Sequence, residues 1–162
     1  MKFNLVATTF SSLLIASASF AIPEAVLANK ALINRIIITP VITRSTVIDD
    51  RFILELSPSS QSIQDLEITL PQQLKNINLE DIKVTDKSGE KIQAEIQQNQ
   101  DRVLISFTES VKPETALRIK FTDIDTQLVM GQTLLYRLSI QQEDLLQRIP
   151  VGTARFDVPD AS

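Results

Sequence analysis

Asp123 and Asp125 flank Ile124 in Thr122-Asp123-Ile124-Asp125-Thr126. Two carboxylates this close beside a strand end could lend oxygen ligands to calcium, a hard cation. Calcium takes about six to eight oxygens, and no loop of the chain carries the ligand spacing of a helix–loop–helix site. Solvated loop acids are therefore the plainer reading of the pair. Asp49-Asp50 is a second acid pair, but adjacent residues of a strand point to opposite faces and do not easily share a proton. These two read as turn residues. Asp101 and Glu109 flank one expected strand, and a carboxylate pair of the glycosidase kind would need them close together in space. Tyr136, the one tyrosine, lies on an alternating apolar run, where a core position with the hydroxyl at the rim is expected.

Missing residue types close most other chemistry. The chain has no histidine, no cysteine and no tryptophan. A thiolate nucleophile, a serine–histidine triad and the usual zinc and copper sites are thereby excluded. Carboxylate, lysine, tyrosine and serine–lysine chemistry remains open. Three scattered glycines, Gly89, Gly131 and Gly152, cannot form a phosphate-cradling loop. The net charge of −4 gives no general attraction to nucleic acid or to anionic lipid. With so few aromatic rings, stacking platforms for bases or sugars are poorly supplied.

The elements that would carry such residues are strands. Apolar residues recur with period two at Phe52/Leu54/Leu56, Leu66/Ile68/Leu70, Ile82/Val84, Ile92/Ala94/Ile96, Val103/Ile105/Phe107, Leu117/Ile119/Phe121, Leu134/Tyr136/Leu138/Ile140 and Phe156/Val158. Each run has one face for a core and one for water. Leu32–Ile38 is apolar at nearly every position and reads as a strand covered on both faces, ended by Pro40. Asp86-Lys87-Ser88-Gly89 has the chemistry of a hairpin turn and should join Ile82–Thr85 to Ile92–Ile96. Gln97–Asp101 should be the next loop. Leu145, Leu146 and Ile149 have helical spacing and predict one short helical turn over 143–149; Leu74, Ile77 and Leu79 predict another. Gln97-Gln98 and Gln141-Gln142 read as polar loop ends that also blunt strand edges. The fold class expected is all-β, an antiparallel immunoglobulin-like sandwich of about 8–9 strands with one or two short helical turns, since the connections are too short for crossover helices.

The first residues read differently. Lys2, the apolar run Leu5–Ile15 and the small residues Ala16, Ser17, Ala18, Ser19 and Ala21 follow the order of a secretory signal. Cleavage fits after Ala21 or after Ala28, the second leaving Asn29-Lys30 ahead of the first strand. This divides the chain into a leader, 1–28, and a single domain, 29–162. An uncleaved anchor is the alternative, because Leu5–Ile22 carries no charge and just reaches the length of a membrane span. A lipid anchor is excluded for want of a cysteine.

The order of these pieces resembles a cyanobacterial family of secreted proteins described only as a domain of unknown function. The resemblance is carried by Leu66-Glu67-Ile68-Thr69-Leu70-Pro71, by Val103–Phe107 followed by Val111-Lys112-Pro113-Glu114-Thr115 and Leu117-Arg118-Ile119, and by Val151-Gly152-Thr153-Ala154-Arg155-Phe156. It implies secretion and an immunoglobulin-like sandwich, and brings no catalytic residues. The strand–proline-turn–strand section is also similar to small periplasmic copper-binding sandwiches, whose histidine ligands this chain lacks.

The sequence thus predicts an exported, non-catalytic protein, secreted or periplasmic, acting by surface interaction with a protein partner of the cell envelope. It predicts no cofactor, no nucleic-acid partner, and contact with the membrane only if the leader stays on. The alternatives are a calcium- or small-ligand-binding module using Asp123 and Asp125, and a carboxylate-based hydrolase.

Overall fold

The computed structural model describes residues 38–74 and 77–160, all within one compact unit, Ile36–Ser162. The expected leader and all but the last residue of the Leu32–Ile38 run lie outside the described residues. Ile38 itself is 57% exposed and not in a strand. The first described strand follows Pro40 instead. Nine strands form among the described residues: β1 (Ile42–Ile48), β2 (Arg51–Leu56), β3 (Ile63–Thr69), β4 (Ile82–Asp86), β5 (Ala94–Asn99), β6 (Arg102–Val111), β7 (Leu117–Phe121), β8 (Thr133–Gln142) and β9 (Ile149–Asp157).

The strands make two antiparallel sheets, β1-β2-β7-β4 and β5-β6-β3-β8-β9. Taken in chain order, β1-β2-β7-β4 is the ABED sheet of an immunoglobulin domain and β3-β8-β9 its CFG sheet. The β5–β6 hairpin is an insertion between the fourth and fifth strands of that scheme. It widens the CFG sheet beyond β3.

Period-two burial builds the core. Phe52, Leu54 and Leu56 on β2 lie beside Phe121, Ile119 and Leu117 of β7, in that order, within one sheet, and Val103, Ile105, Leu66, Ile68 and Leu138 line the other. Four rings meet at the centre. Phe52 stacks on Phe156 at 5.1 Å, Tyr136 meets Phe156 edge-on at 5.0 Å, and Phe121 lies 5.7 Å from Tyr136. A register shift at Ile63/Asp65 lets both Ile63 and Leu66 face inward although three positions separate them. A bulge adds one residue to a strand and resets its alternation.

Two sides of the sandwich differ. On one, β1 packs beside β9, with the Ser45 hydroxyl donating to the Arg155 carbonyl at 2.6 Å. On the other, edge strands β4 and β5 leave a seam. The strand directions also give the sandwich two loop ends. The upper end holds 49–50, 70–74, 77–81, 100–101 and 122–132; the lower end holds 57–62, 87–93, 112–116 and 143–148.

Several loops depart from the sequence reading. Gly89, at φ +91°, closes a tight turn: its N–H donates to the Asp86 carbonyl, and the Asp86 N–H donates to the Glu90 carbonyl at 2.9 Å. The hairpin it begins lasts only to the Ile92 N–H on the Val84 carbonyl. The chain then crosses, and Ala94–Asn99 joins the opposite sheet. The glutamine stretch is strand to Asn99, leaving a two-residue turn, Gln100-Asp101, with Gln100 at φ 57°. Residues 143–148 form no helical turn, and Leu146 is fully exposed; with no second element above it, helical spacing there has nothing to pack against. The turn expected near Leu74–Leu79 is present as two 3-10 turns, Gln72–Leu74 and Leu79–Asp81, and a third, Thr126–Val129, arises in the β7–β8 loop.

Tyr136 is 1% exposed, deeper than a rim position, and burial pushes its phenol well above the ordinary 10.0. The unfolded chain therefore loses this proton first. Stability present below the unfolded value is lost as pH rises above about 10, at up to roughly 1.4 kcal/mol per pH unit. Urea unfolding at pH 8 and pH 11 should show this loss, and Tyr136→Phe should reduce it. An equal alkaline loss in both proteins would contradict the burial effect.

Candidate functional site

The acid pairs do not converge. Asp49 and Asp50 form the β1–β2 turn, with Asp49 at φ 54° and both carboxylates beside the Arg51 guanidinium. Asp101 and Glu109 sit near opposite ends of β6. Eight residues of strand separate them by roughly 26 Å, far beyond the approximately 5–9.5 Å of glycosidase carboxylates. Asp123 and Asp125 lie at the upper end, where Ile124 between them is buried and its N–H donates to the Asp50 carbonyl at 3.1 Å. Both aspartates are exposed on the rim of a hollow of about 380 Å³, shared with Gln72, Asn78 and Leu128. Asp125 is occupied as a cap: its carboxylate accepts the Gln127 N–H at 3.1 Å. Among the described residues, no three acidic side chains stand together to hold a metal.

Two recesses adjoin along the seam between β4 and β5. Its upper part, about 410 Å³, runs past Leu79, Ile82, Ala94 and Ile96. Its lower part, about 440 Å³, is bordered by Asp86, Glu90, Glu109 and Lys112. Lys91 and Ile92 belong to both. The recess exists because the two edges diverge after Ile92, so β5 has β6 on one side and, among the described residues, no strand on the other, only the 3-10 turn Leu79–Asp81 near it. Ile92, Ala94 and Ile96 turn inward yet stay half-buried, where the matching residues of every central strand are fully covered.

Its chemistry is that of contact. Asp86 is held below the ordinary carboxylate range, first by the Ser88 hydroxyl and then by backbone amides of its own turn. That makes it a turn anchor and a poor proton donor. Glu90 and Glu109 stand exposed at the margin. What the seam does offer is backbone. The Thr108 N–H donates to the Gln93 carbonyl, so the odd-numbered residues of β5 bond to β6. Ala94 and Ile96 then aim their N–H and C=O outward, with no backbone partner among the described residues.

Sequence alternation finds Ala94 and Ile96 as inward residues, but it carries no sign of which strand ends a sheet. It also misreads Gln142 as a loop end. Gln142 is 0% exposed, the last inward position of β8, two residues after Ile140, and its side-chain amide donates to the Ser59 hydroxyl at 2.8 Å.

No family model matches the chain, and no curated protein matches it. Solved structures do. One is a chain from a structure of manganese lipoxygenase of Gaeumannomyces graminis and a partial structure of zonadhesin of Komagataella pastoris, at 13% identity and a TM-score of 0.51, covering 74% of this chain and 46% of that one. Others are the collagen-binding subdomain of Enterococcus faecalis surface protein ACE (9%, TM-score 0.44, 75% of this chain, 98% of that one) and the collagen-binding domain of a Staphylococcus aureus adhesin (9%, TM-score 0.41, 74% and 97%). At these identities the likeness concerns the fold alone. The first match spans less than half of the chain it resembles.

Proposed function

We propose that this chain is an exported, non-catalytic protein of the periplasm or cell envelope whose sandwich binds a protein partner at the β4–β5 seam. The observation that carries the reading is the half-buried row Ile92, Ala94 and Ile96 beside an unpaired strand edge. Such an edge accepts an extended segment by adding a strand: main-chain hydrogen bonds supply affinity and the side-chain recesses supply selectivity. The absence of histidine and cysteine from the whole sequence, and the separation of the acid pairs, favour binding over turnover. No helix of the described residues is long and apolar enough to cross a membrane. The leader read from residues 1–28 supports export.

The test uses the full chain expressed in a bacterium with an envelope. N-terminal sequencing of the product should begin at Asn29 or at Ile22; a start at Met1 would overturn export. Envelope proteins captured by the purified domain should be lost with Ile96→Lys and kept with Thr153→Lys, on the far edge strand. Addition of the captured protein should slow hydrogen exchange at Ala94 and Ile96. Capture indifferent to Ile96→Lys, or ester or glycoside hydrolysis abolished by Glu109→Gln, would sink the proposal.

A further inference from the structure

The four sheet edges are not equally guarded. The edge of β1 packs beside β9. The edge of β9 is broken by Pro150, Gly152 and a register shift. The edge of β4 carries Lys83, and its lower half is taken up by residues 90–92. Only β5, Ala94-Glu95-Ile96-Gln97-Gln98-Asn99, has no lysine, arginine or proline, and its register against β6 runs unbroken over all six residues. Charge, proline, bulges and covering elements are the devices that keep one strand edge from pairing with another. Their concentration on three edges leaves the fourth as the place where pairing occurs.

We infer that the strand added at β5 is the β5 of a second copy of this chain, antiparallel about a twofold axis, joining two five-stranded sheets into one of ten. This rests on the seam being the interaction surface and names its occupant. The inference comes from self-complementarity. Outward backbone groups belong to Ala94 and Ile96, so the pairing must set even residues against even ones and odd against odd.

Two central registers satisfy this. In one, Gln97 meets Gln97 of the second copy and Glu95 meets Asn99. In the other, Ile96 meets Ile96 and Glu95 meets Gln97. Either way each Glu95 carboxylate faces an amide that can donate to it. Gln97 already makes that bond within the strand, its side-chain amide donating to Glu95 at 2.7 Å. Opposed like charges, which destabilise cross-strand pairs, are avoided in both. On the inner face, the half-buried Ile96 gains an apolar neighbour or the stem of Gln98. A heterologous peptide would have to supply this alternation from outside; the chain already holds it.

A cysteine-free chain makes the test direct. Single cysteines are placed at exposed outer positions, Glu95→Cys and Gln97→Cys, with Thr153→Cys as the control, and oxidised under mild conditions. Facing residues of a non-hydrogen-bonded antiparallel pair stand about 4.5 Å apart at Cα, within disulfide reach. Gln97→Cys alone, or its equimolar mixture with Glu95→Cys, should form disulfide dimers about tenfold faster than Thr153→Cys, since exchange requires the sulfurs to meet. Sedimentation of the unmodified chain should show a monomer–dimer equilibrium shifting with concentration.

Ile96→Pro removes an outward N–H, as does the milder Ala94→Pro, and either should leave a folded monomer. Cross-linking no faster than the control, fastest cross-linking of Glu95→Cys with itself, or a dimer that survives both prolines would overturn the inference. A monomer that still captures an envelope protein through Ile96 would reject the second copy and leave the seam's role standing. Loss of both would reject the seam itself.

Discussion

Phe156→Ala should cost about 3–5 kcal/mol of folding stability and lower the melting midpoint by on the order of 15 °C. Phe156 is completely buried. Its ring stacks on Phe52 and takes the edge of Tyr136, so alanine removes a large apolar volume and two aromatic contacts, each worth about 0.5–1.5 kcal/mol beyond burial. The surroundings are poorly able to collapse into the gap. Phe52, Phe121 and Tyr136 sit on three different strands, each fixed by ladder bonds on both sides, and interiors packed to crystal density relax only in part. A domain of this size has about 5–15 kcal/mol in total, so the variant would be close to unfolding at growth temperature. Phe156→Leu, which keeps most of the volume, should lose about 1–2 kcal/mol. Thermal and urea unfolding of the pair would check this. A loss below about 1.5 kcal/mol for alanine would mean that the ring cluster is not the keystone the packing implies.

That cluster was legible in the sequence because strand side chains alternate strictly. Phe52, Phe121, Tyr136 and Phe156 each fall on the apolar phase of a run, and all four face the core. The same rule located β2, β3, β4, β7 and β8 and the first parts of β5 and β6, but it left Gln97–Asn99 to a loop and caught only the end of β9. It failed where its premise failed. Strand β1, Ile42–Ile48, reads Ile-Thr-Arg-Ser-Thr-Val-Ile, and as an edge strand it buries no residue fully, so its pattern is washed out. The hairpin expected after Thr85 began with the right turn chemistry, since Gly89 adopts the positive φ that such a turn needs. It ended early because sheet choice is a tertiary matter: after Ile92 the chain pairs with β6, Ala94 opposite Phe107, and Ile92, Ala94 and Ile96 line a hollow with Leu79. Candidate sites are harder to read from local pattern. Asp123-Ile124-Asp125 looks like a pair in one dimension, but the buried Ile124 anchors the segment and turns both carboxylates to solvent. The seam depends on which strands lie at edges, and that order is not written in local pattern.

The lower end holds a fully buried side-chain amide, Gln142, and it sets up the second large effect. Ser59→Ala should cost about 1–3 kcal/mol, because it strands the Gln142 side chain in the core without a partner. Gln142 donates to the Ser59 hydroxyl at 2.8 Å, while its own side-chain oxygen has no hydrogen-bond partner. The Ser59 hydroxyl also accepts the Gln61 N–H and donates to the Ile38 carbonyl. The two residues are therefore unequal. Gln142→Met removes the buried amide and leaves Ser59 with its remaining partners, so it should cost under about 1 kcal/mol, as replacing a polar group by an apolar one of like shape is nearly neutral. Once Gln142 is methionine, Ser59→Ala should add only the loss of its Gln61 and Ile38 contacts, and the double variant should be more stable than Ser59→Ala alone by about 1 kcal/mol or more. Such a coupling marks a direct pair; strict additivity in urea unfolding would deny it. The contact reaches further than stability. The Ser59 carbonyl accepts the Glu114 N–H at 2.9 Å, and the next residue, Thr115, lines the lower mouth of the seam. Ser59→Ala should consequently speed hydrogen exchange at Glu114 as well as at the Gln61 amide, while exchange in the β5 ladder stays unchanged. Equal acceleration throughout β5 would mean that the lower mouth and the strand edge open as one unit.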